Sequence, residues 1–441
     1  MVLFPLLCCV LCLPRPSSLP SVLQGPRNAQ SRPYQPCLRN CSWERWLTNE
    51  EFKREIAYKR PFELLDDEKV REMEGELACV PFSFGYSRAR AELLFPLYQY
   101  PPCSELAEEP LPEIRLNQAN RTLEMTCPAN FTPYYTLNPA EVRETEQWLY
   151  SDLVPLWQST VYPGSQVPNI SSEFVLAKCG SKGLSAALEP RKNKTAAARA
   201  REIMRKQAAV RPVTVILLTL DSFSRRHFYR KLPKTVSLLS EVNRENNFTI
   251  FDYKLHNVAD MGSAGNMLQI FANSSYFLGL PDEVIDERLY GRLWMLMKAA
   301  GFVTMFGFED CDHHFVGAFG RKLEVDHLVR TFYCGVRKYT GLNTAQSATE
   351  QRCIGREMSH TYLLNYTRKW MQMYAGLNQF IYLHVDTGHE YTGQHAACLY
   401  SSIYVKCILG NSCSHLRLRF SLFPAIDVHR QCTRCIPTAA W

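Results

Sequence analysis

The chain has 441 residues, 46% of them hydrophobic, enough for roughly two or three domains with real cores. Its formal charge of +7 is modest for that length and spread along the chain, so it gives no ground for a nucleic-acid partner. No apolar run is long enough for a comfortable transmembrane helix, which argues against a membrane-spanning protein.

Residues 1–25 read as a signal peptide. The run VLFPLLCCVLCL has the short apolar core of a leader, and a Pro- and Ser-rich stretch follows it. Removing it takes Cys8, Cys9 and Cys12 from the seventeen cysteines and leaves fourteen, an even number. These are scattered singly, a spacing that suits disulfides better than zinc knuckles. Acceptor triplets for N-glycosylation begin at Asn40, Asn120, Asn130, Asn169, Asn193, Asn247, Asn273 and Asn365. Leader, cysteines and triplets together predict a secreted or lumenal glycoprotein.

Residues 34–190 carry cysteines, prolines and aromatics without a clear helical or strand period. They predict an irregular, disulfide-braced N-terminal region to which no chemistry can be assigned. The Lys-, Arg- and Ala-rich stretch 191–211 reads as a helix, a linker or an anion-facing surface, with a solvated helical linker the simplest form.

From residue 212 strand-like and helix-like runs alternate. The first is 213–220 (VTVILLTL), an apolar run without alternation, as expected of a strand covered on both faces. It is followed by 232–242, the apolar 267–271, a helix over 287–300, a strand over 302–306, a helix over 358–377 and the strand 380–385 (FIYLHV). This alternation predicts an α/β domain over 212–400, with a mostly parallel central sheet flanked by helices. The tail 401–441 leaves the pattern. Its Cys432-Thr-Arg-Cys435 reads as a structural disulfide, because no second CxxC accompanies it to complete a zinc site.

Three polar clusters fall at strand ends or helix starts. Asp221 closes the first strand, where ligands of open α/β sheets collect, or else it caps the following helix. Ser263, in DMGSAGN, opens a helix whose N–H groups favour anions, which suits an attacking oxygen, although a cap is again the plain alternative. His384, Asp386 and His389 follow FIYL in HVDTGHEYTG. Carboxylate oxygen and imidazole nitrogen are common zinc ligands, while a surface loop with incidental histidines is the alternative. Asp310 and Asp312, in FEDCDHH, either line the site or belong to a solvated loop.

In their order these clusters resemble the alkaline-phosphatase and sulfatase superfamily, over about residues 212–400. LLTLD matches its strand ending in a metal-binding Asp, Ser263 its nucleophile, and VDTGHEYTG its later Asp and His element. LDSFSRRHFYRKLPKT and GFVTMFGFEDC look closest to the secreted eukaryotic sulfatase-like branch of DUF229 type. The resemblance implies an alkaline-phosphatase-like fold and phosphate- or sulfate-ester chemistry at paired divalent metals, zinc above all. One metal would hold Asp221 and activate Ser263; the other would hold Asp386 and His389, with His384 contributing. The family's later Asp-His-Gly turn has no match, so the C-terminal part of the domain is expected to be missing and activity is in question.

The expected function is metal-dependent hydrolysis or transfer of phosphate esters, on a phosphate-ester or glycan-linked substrate. One alternative is a non-catalytic extracellular module that binds glycans or protein. Another is a sulfatase, which would need the C/S-x-P-x-R motif where this chain has Ser263-Ala-Gly-Asn.

Overall fold

The computed structural model describes residues 102–137, 159–207, 211–224, 263–272, 292–311, 325–340 and 352–389, apart from 108, 118 and 182, together with 228, 232, 235 and 236. The leader, the tail after 389 and the Cys432/Cys435 pair lie outside these residues, as do Asp312, Asn40, Asn247 and Asn273.

In chain order the elements are α1 (Cys103–Leu106), β1 (Glu113–Leu116), β2 (Leu123–Thr126), β3 (Pro133–Leu137), β4 (Ser159–Val161), β5 (Phe174–Cys179) and β6 (Leu184–Leu188). Then come α2 (Lys194–Lys206), β7 (Thr214–Leu220), α3 (Ser263–Ala272), α4 (Arg292–Ala299), β8 (Val303–Phe308) and β9 (His327–Leu328). The series closes with α5 (Arg330–Thr340), β10 (Cys353–Ile354), β11 (Glu357–Met358), α6 (Ser359–Met373) and β12 (Gln379–Val385). No helix among the described residues is long and apolar enough to cross a membrane.

The central sheet has the order β7-β12-β8-β9, and every pairing in it is parallel. All seven residues of β12 are buried, as expected of a strand hydrogen-bonded on both edges and covered on both faces. Alternation along β12 divides its side chains between two layers. Phe380, Tyr382 and His384 join Phe306 and Phe308 of β8, Phe271 of α3 and Trp294 of α4 in an aromatic layer. Ile381, Leu383 and Val385 belong to the main core with Met305, the α2 alanines and Leu363, Tyr366 and Trp370 of α6. Each fully buried aliphatic or Phe side chain there stabilises by about 1.5–3 kcal/mol. At Gly307 in β8 a Cβ would stand 2.6 Å from Leu363 and 2.9 Å from Leu383, so only glycine lets α6 approach this closely. The expected parallel sheet with flanking helices is present.

Residues 102–190 are more regular than their sequence suggests. Strands β4-β3-β5-β6 form an antiparallel sheet, and β1-β2 form a hairpin. Phe174 of β5 packs on Phe332 of α5 and Tyr366 of α6, so this sheet shares the main core. The periodicity is hidden because β5 is buried at five of its six positions, which erases the polar alternation of a half-exposed strand. The basic stretch forms α2, capped by the Asn193 side chain accepting from Ala196 N–H. It is no solvated linker: Ala196, Ala197 and Ala200 are buried, and Arg199 pairs with the Asp326 carboxylate at 2.8 Å.

All six described cysteines are paired, as Cys103–Cys353, Cys127–Cys179 and Cys311–Cys334. Cys103–Cys353 ties α1 to the β10-β11 hairpin, and Cys311–Cys334 ties the end of β8 to α5.

Candidate metal centre

Sheet register assembles the centre. Leu220 stands opposite Val385, and Phe308 opposite His384, so the residues that leave β7, β12 and β8 emerge at one carboxyl end. The ladder runs one step further on each side: Asp221 N–H donates to Val385 C=O and Glu309 N–H to His384 C=O, both at 3.0 Å. Three strand-end carboxylates, Asp221, Asp386 and Glu309, are thereby brought to one place, all of them buried.

Ligand atoms of Asp221, His384 and Asp386 lie within 4.8 Å of one another. His384 Nε2 donates to Asp221 Oδ2 at 3.0 Å, and its Nδ1 lies 2.9 Å from the Tyr382 hydroxyl. Ser263, the first residue of α3, donates its hydroxyl proton to Asp221, with Oγ 3.1 Å and 3.2 Å from the two carboxylate oxygens. Ser222 N–H donates to Asp221 Oδ1 at 2.7 Å. Ser222 itself takes φ 58, a left-handed backbone that costs a non-glycine residue on the order of 1 kcal/mol and clusters at functional turns.

The turn after β12 is closed by His389 N–H donating to Asp386 C=O at 2.9 Å. At Gly388 a Cβ would stand 2.2 Å from Phe223 Cε2, so the turn lies directly on the segment after Asp221. His389 is half-buried and near enough for its charge to act on Asp221, but it stands outside the three-residue ligand group. The sequence expectation divides these residues between two cations; the described residues gather Asp221, His384 and Asp386 round one point, with Ser263 beside it. Asp310 is buried and close enough to repel Asp386. Asp326 pairs with Arg199, and His327 lies against Glu173 and Tyr374.

Electrostatics separate the two aspartates. Burial pushes the Asp221 carboxyl upward, but the hydrogen bond and charge of His384, the charge of His389 and the Ser263 hydroxyl outweigh it and hold the pKa at about 2. Burial likewise raises Asp386. Arg352 partly opposes this, yet repulsion from Asp221, Asp310 and Glu309 leaves its carboxyl well above the usual range. Among the described residues, buried carboxylate oxygens and imidazole nitrogens of Asp221, Asp386 and His384 converge here, the donor types that would hold a divalent cation.

Sequence reading missed three buried residues behind the centre: Glu309, Arg352 and His360. Glu309 accepts Asp386 N–H and Thr387 N–H at 2.9 Å each, the Thr387 hydroxyl at 2.6 Å and the Ser359 hydroxyl. Arg352 donates to the carbonyls of Asp386 and His389, and His360 Nδ1 lies 3.0 Å from Thr387 Oγ1. Glu309 had the same signal as Asp221, a carboxylate directly after a buried strand. Arg352 had none.

Comparison with known proteins gives a family match over residues 142–400, to the model described as protein of unknown function (DUF229). Neither a curated protein nor a solved structure matches.

Proposed function

The chain belongs to the DUF229 family over residues 142–400, and on that premise we propose that it is a secretory-pathway glycoprotein of the alkaline-phosphatase and sulfatase superfamily, hydrolysing or transferring phosphate esters at a divalent cation. The observation that carries the reading is the Ser263 hydroxyl 3.1 Å from Asp221, a carboxylate that also faces Asp386 and His384. Strand-end Asp, nucleophile-bearing helix and later Asp-His turn stand in the order that the superfamily resemblance implies. The alkaline-phosphatase-like fold belongs to the same proposal.

Asp221, His384 and Asp386, with His389 alongside, would hold the cation, for which the donor set favours zinc. Bound there, it would acidify the Ser263 hydroxyl and offset charge on the phosphoryl oxygens. The chain's own groups do the rest. Asp221 stays ionised at neutral pH, and as so weak a base it orients the Ser263 proton rather than removing it. Without the cation, His384, steadied by Tyr382, fixes that carboxylate from the other side; to hold the ion its Nε2 would give up the proton shared with Asp221. The N-terminus of α3, which Ser263 opens, presents N–H groups toward an anionic substrate. Sulfate esters fit less well, since Ser263-Ala-Gly-Asn lacks the Pro and Arg of a sulfatase nucleophile motif.

Entry into the secretory pathway is supported by the three disulfides and by exposed acceptor residues at Asn120, Asn130, Asn169 and Asn365.

The test is turnover. Full-length protein from a secretory host, loaded with Zn²⁺, should hydrolyse bis(p-nitrophenyl) phosphate or p-nitrophenyl phosphate, and Asp221→Ala and Ser263→Ala should abolish it. Bound metal without turnover would favour the binding-module alternative, and preference for p-nitrophenyl sulfate the sulfatase one.

A further inference from the structure

We infer that Glu309 and Arg352 are positioning residues of the cation site: they touch no substrate, and together they fix the backbone of the Asp386–His389 turn so that the Asp386 carboxylate is presented to the cation. The inference rests on the reading of Asp221, His384 and Asp386 as that site.

The two residues grip the turn from opposite ends. One oxygen of Glu309 accepts the consecutive N–H groups of Asp386 and Thr387, at 2.9 Å each. Its other oxygen takes the Thr387 and Ser359 hydroxyls, so a single carboxylate accepts four hydrogen bonds. These bonds fix where the chain leaves β12. Arg352 holds the far side. Its Nη1 donates to Asp386 C=O and lies 3.4 Å from Asp386 Oδ2, while Nη2 donates to His389 C=O at 3.3 Å. A planar guanidinium can span two carbonyls three residues apart; an ammonium point charge cannot hold both with one fixed geometry.

Neither side chain is needed to fill space as an apolar residue would be. Both are charged and wholly buried, an expensive choice for a core unless the hydrogen bonds serve a specific geometry. Among the described residues, the hydrogen bonds of Glu309's carboxylate and of Arg352's guanidinium go to the turn, apart from the one with the Ser359 hydroxyl. Ser359 opens α6, and His360 beside it reaches Thr387 Oγ1 at 3.0 Å, so the turn is also referred to a long, well-packed helix. Outer residues that orient metal ligands cost about 10–100-fold in affinity when removed.

Cobalt(II) is the probe, added to the metal-free full-length glycoprotein, with affinity read by chelator competition and coordination by the visible absorption of the bound ion. Wild type should bind cobalt. Arg352→Lys, which keeps the charge and loses the fork, should bind about 10–100-fold more weakly and with altered bands. Glu309→Ala should do the same, and Glu309→Gln, which keeps one acceptor oxygen for the two N–H groups, should recover part of the loss. Melting of the metal-free proteins shows whether each variant folds; if Glu309→Ala does not, Glu309→Gln and Arg352→Lys decide. Failure of wild type to take up cobalt would overturn the cation-site reading itself. Wild-type uptake with unchanged affinity and bands in folded Arg352→Lys and Glu309→Gln would overturn only the positioning role.

Discussion

His384 Nε2 donates to Asp221 Oδ2 at 3.0 Å, joining residues 163 positions apart across the β7–β12 pairing. The bond ties the orientation of the strand-end carboxylate to a ring that is itself packed edge-on against Phe308, 4.8 Å between centroids. A cation at this point therefore meets a carboxylate already aimed.

Replacing His384 by Ala removes both an imidazole donor and the group that orients Asp221. Zinc affinity of the full-length protein should fall by about 10–100-fold, as it does when ligand-orienting partners are lost. Chelator competition measures this directly, and wild-type affinity in His384→Ala would remove the histidine from the centre.

Gly388 is required for space rather than for backbone conformation. An added Cβ would meet Phe223 Cε2 at 2.2 Å and Cδ2 at 2.7 Å, and would stand 3.2 Å from Asp221 C=O. Gly388→Ala should destabilise the protein by about 1–3 kcal/mol, the usual range for overpacking. Denaturant unfolding reads the loss, and shortening the ring by Phe223→Leu in the same chain should return part of it. If Gly388→Ala unfolds at the wild-type midpoint, the two segments are not in contact.

Much of the centre was legible because parallel sheets place strand-end residues together. Asp221, Ser263, His384 and Asp386 each follow or open an apolar run; Asp221, His384 and Asp386 are found together, with Ser263 on Asp221. The apolar run of β12 and the 15-residue amphipathic pattern of α6 could be read as well. The antiparallel sheet at 133–188 could not. Its strands are three to six residues long, and β3 and β5 have neither clean alternation nor a long apolar run. Arg352 escaped because its partners, the Asp386 and His389 carbonyls, are backbone groups that any residue type carries.

Acid should weaken the fold through His360. Burial drives this ring's pKa down to about 4; the Arg352 charge also lowers it, against an opposing pull from Glu309. Thr387 Oγ1 donates its only proton to Glu309, so it must accept from His360 Nδ1–H, which leaves Nε2 buried and without a hydrogen-bond partner among the described residues. Between pH 6.5 and 4 the unfolded chain takes up a proton that the folded chain refuses, so stability falls as pH drops through that window. The full loss from this ring is about 3 kcal/mol. Denaturant unfolding at pH 7, 5.5 and 4.5 should show a steeper decline in wild type than in His360→Asn, which keeps an N–H donor and does not titrate. Parallel declines would remove His360 from the acid response.

The disulfides should differ in what their loss does to the centre. Cys353 directly follows Arg352, and Cys103–Cys353 closes a sequence separation of 250 residues. Cys127–Cys179 joins the β2–β3 connection to the end of β5, within the antiparallel module. Removing either pair as a double Ala variant should cost about 2–5 kcal/mol of stability, the usual range for a native disulfide. Only Cys103→Ala/Cys353→Ala should also weaken zinc binding, because it frees the backbone on which the guanidinium is mounted. Cys127→Ala/Cys179→Ala should keep wild-type affinity once folded. Equal zinc affinities in the two folded variants would show that the covalent brace beside Arg352 serves stability alone.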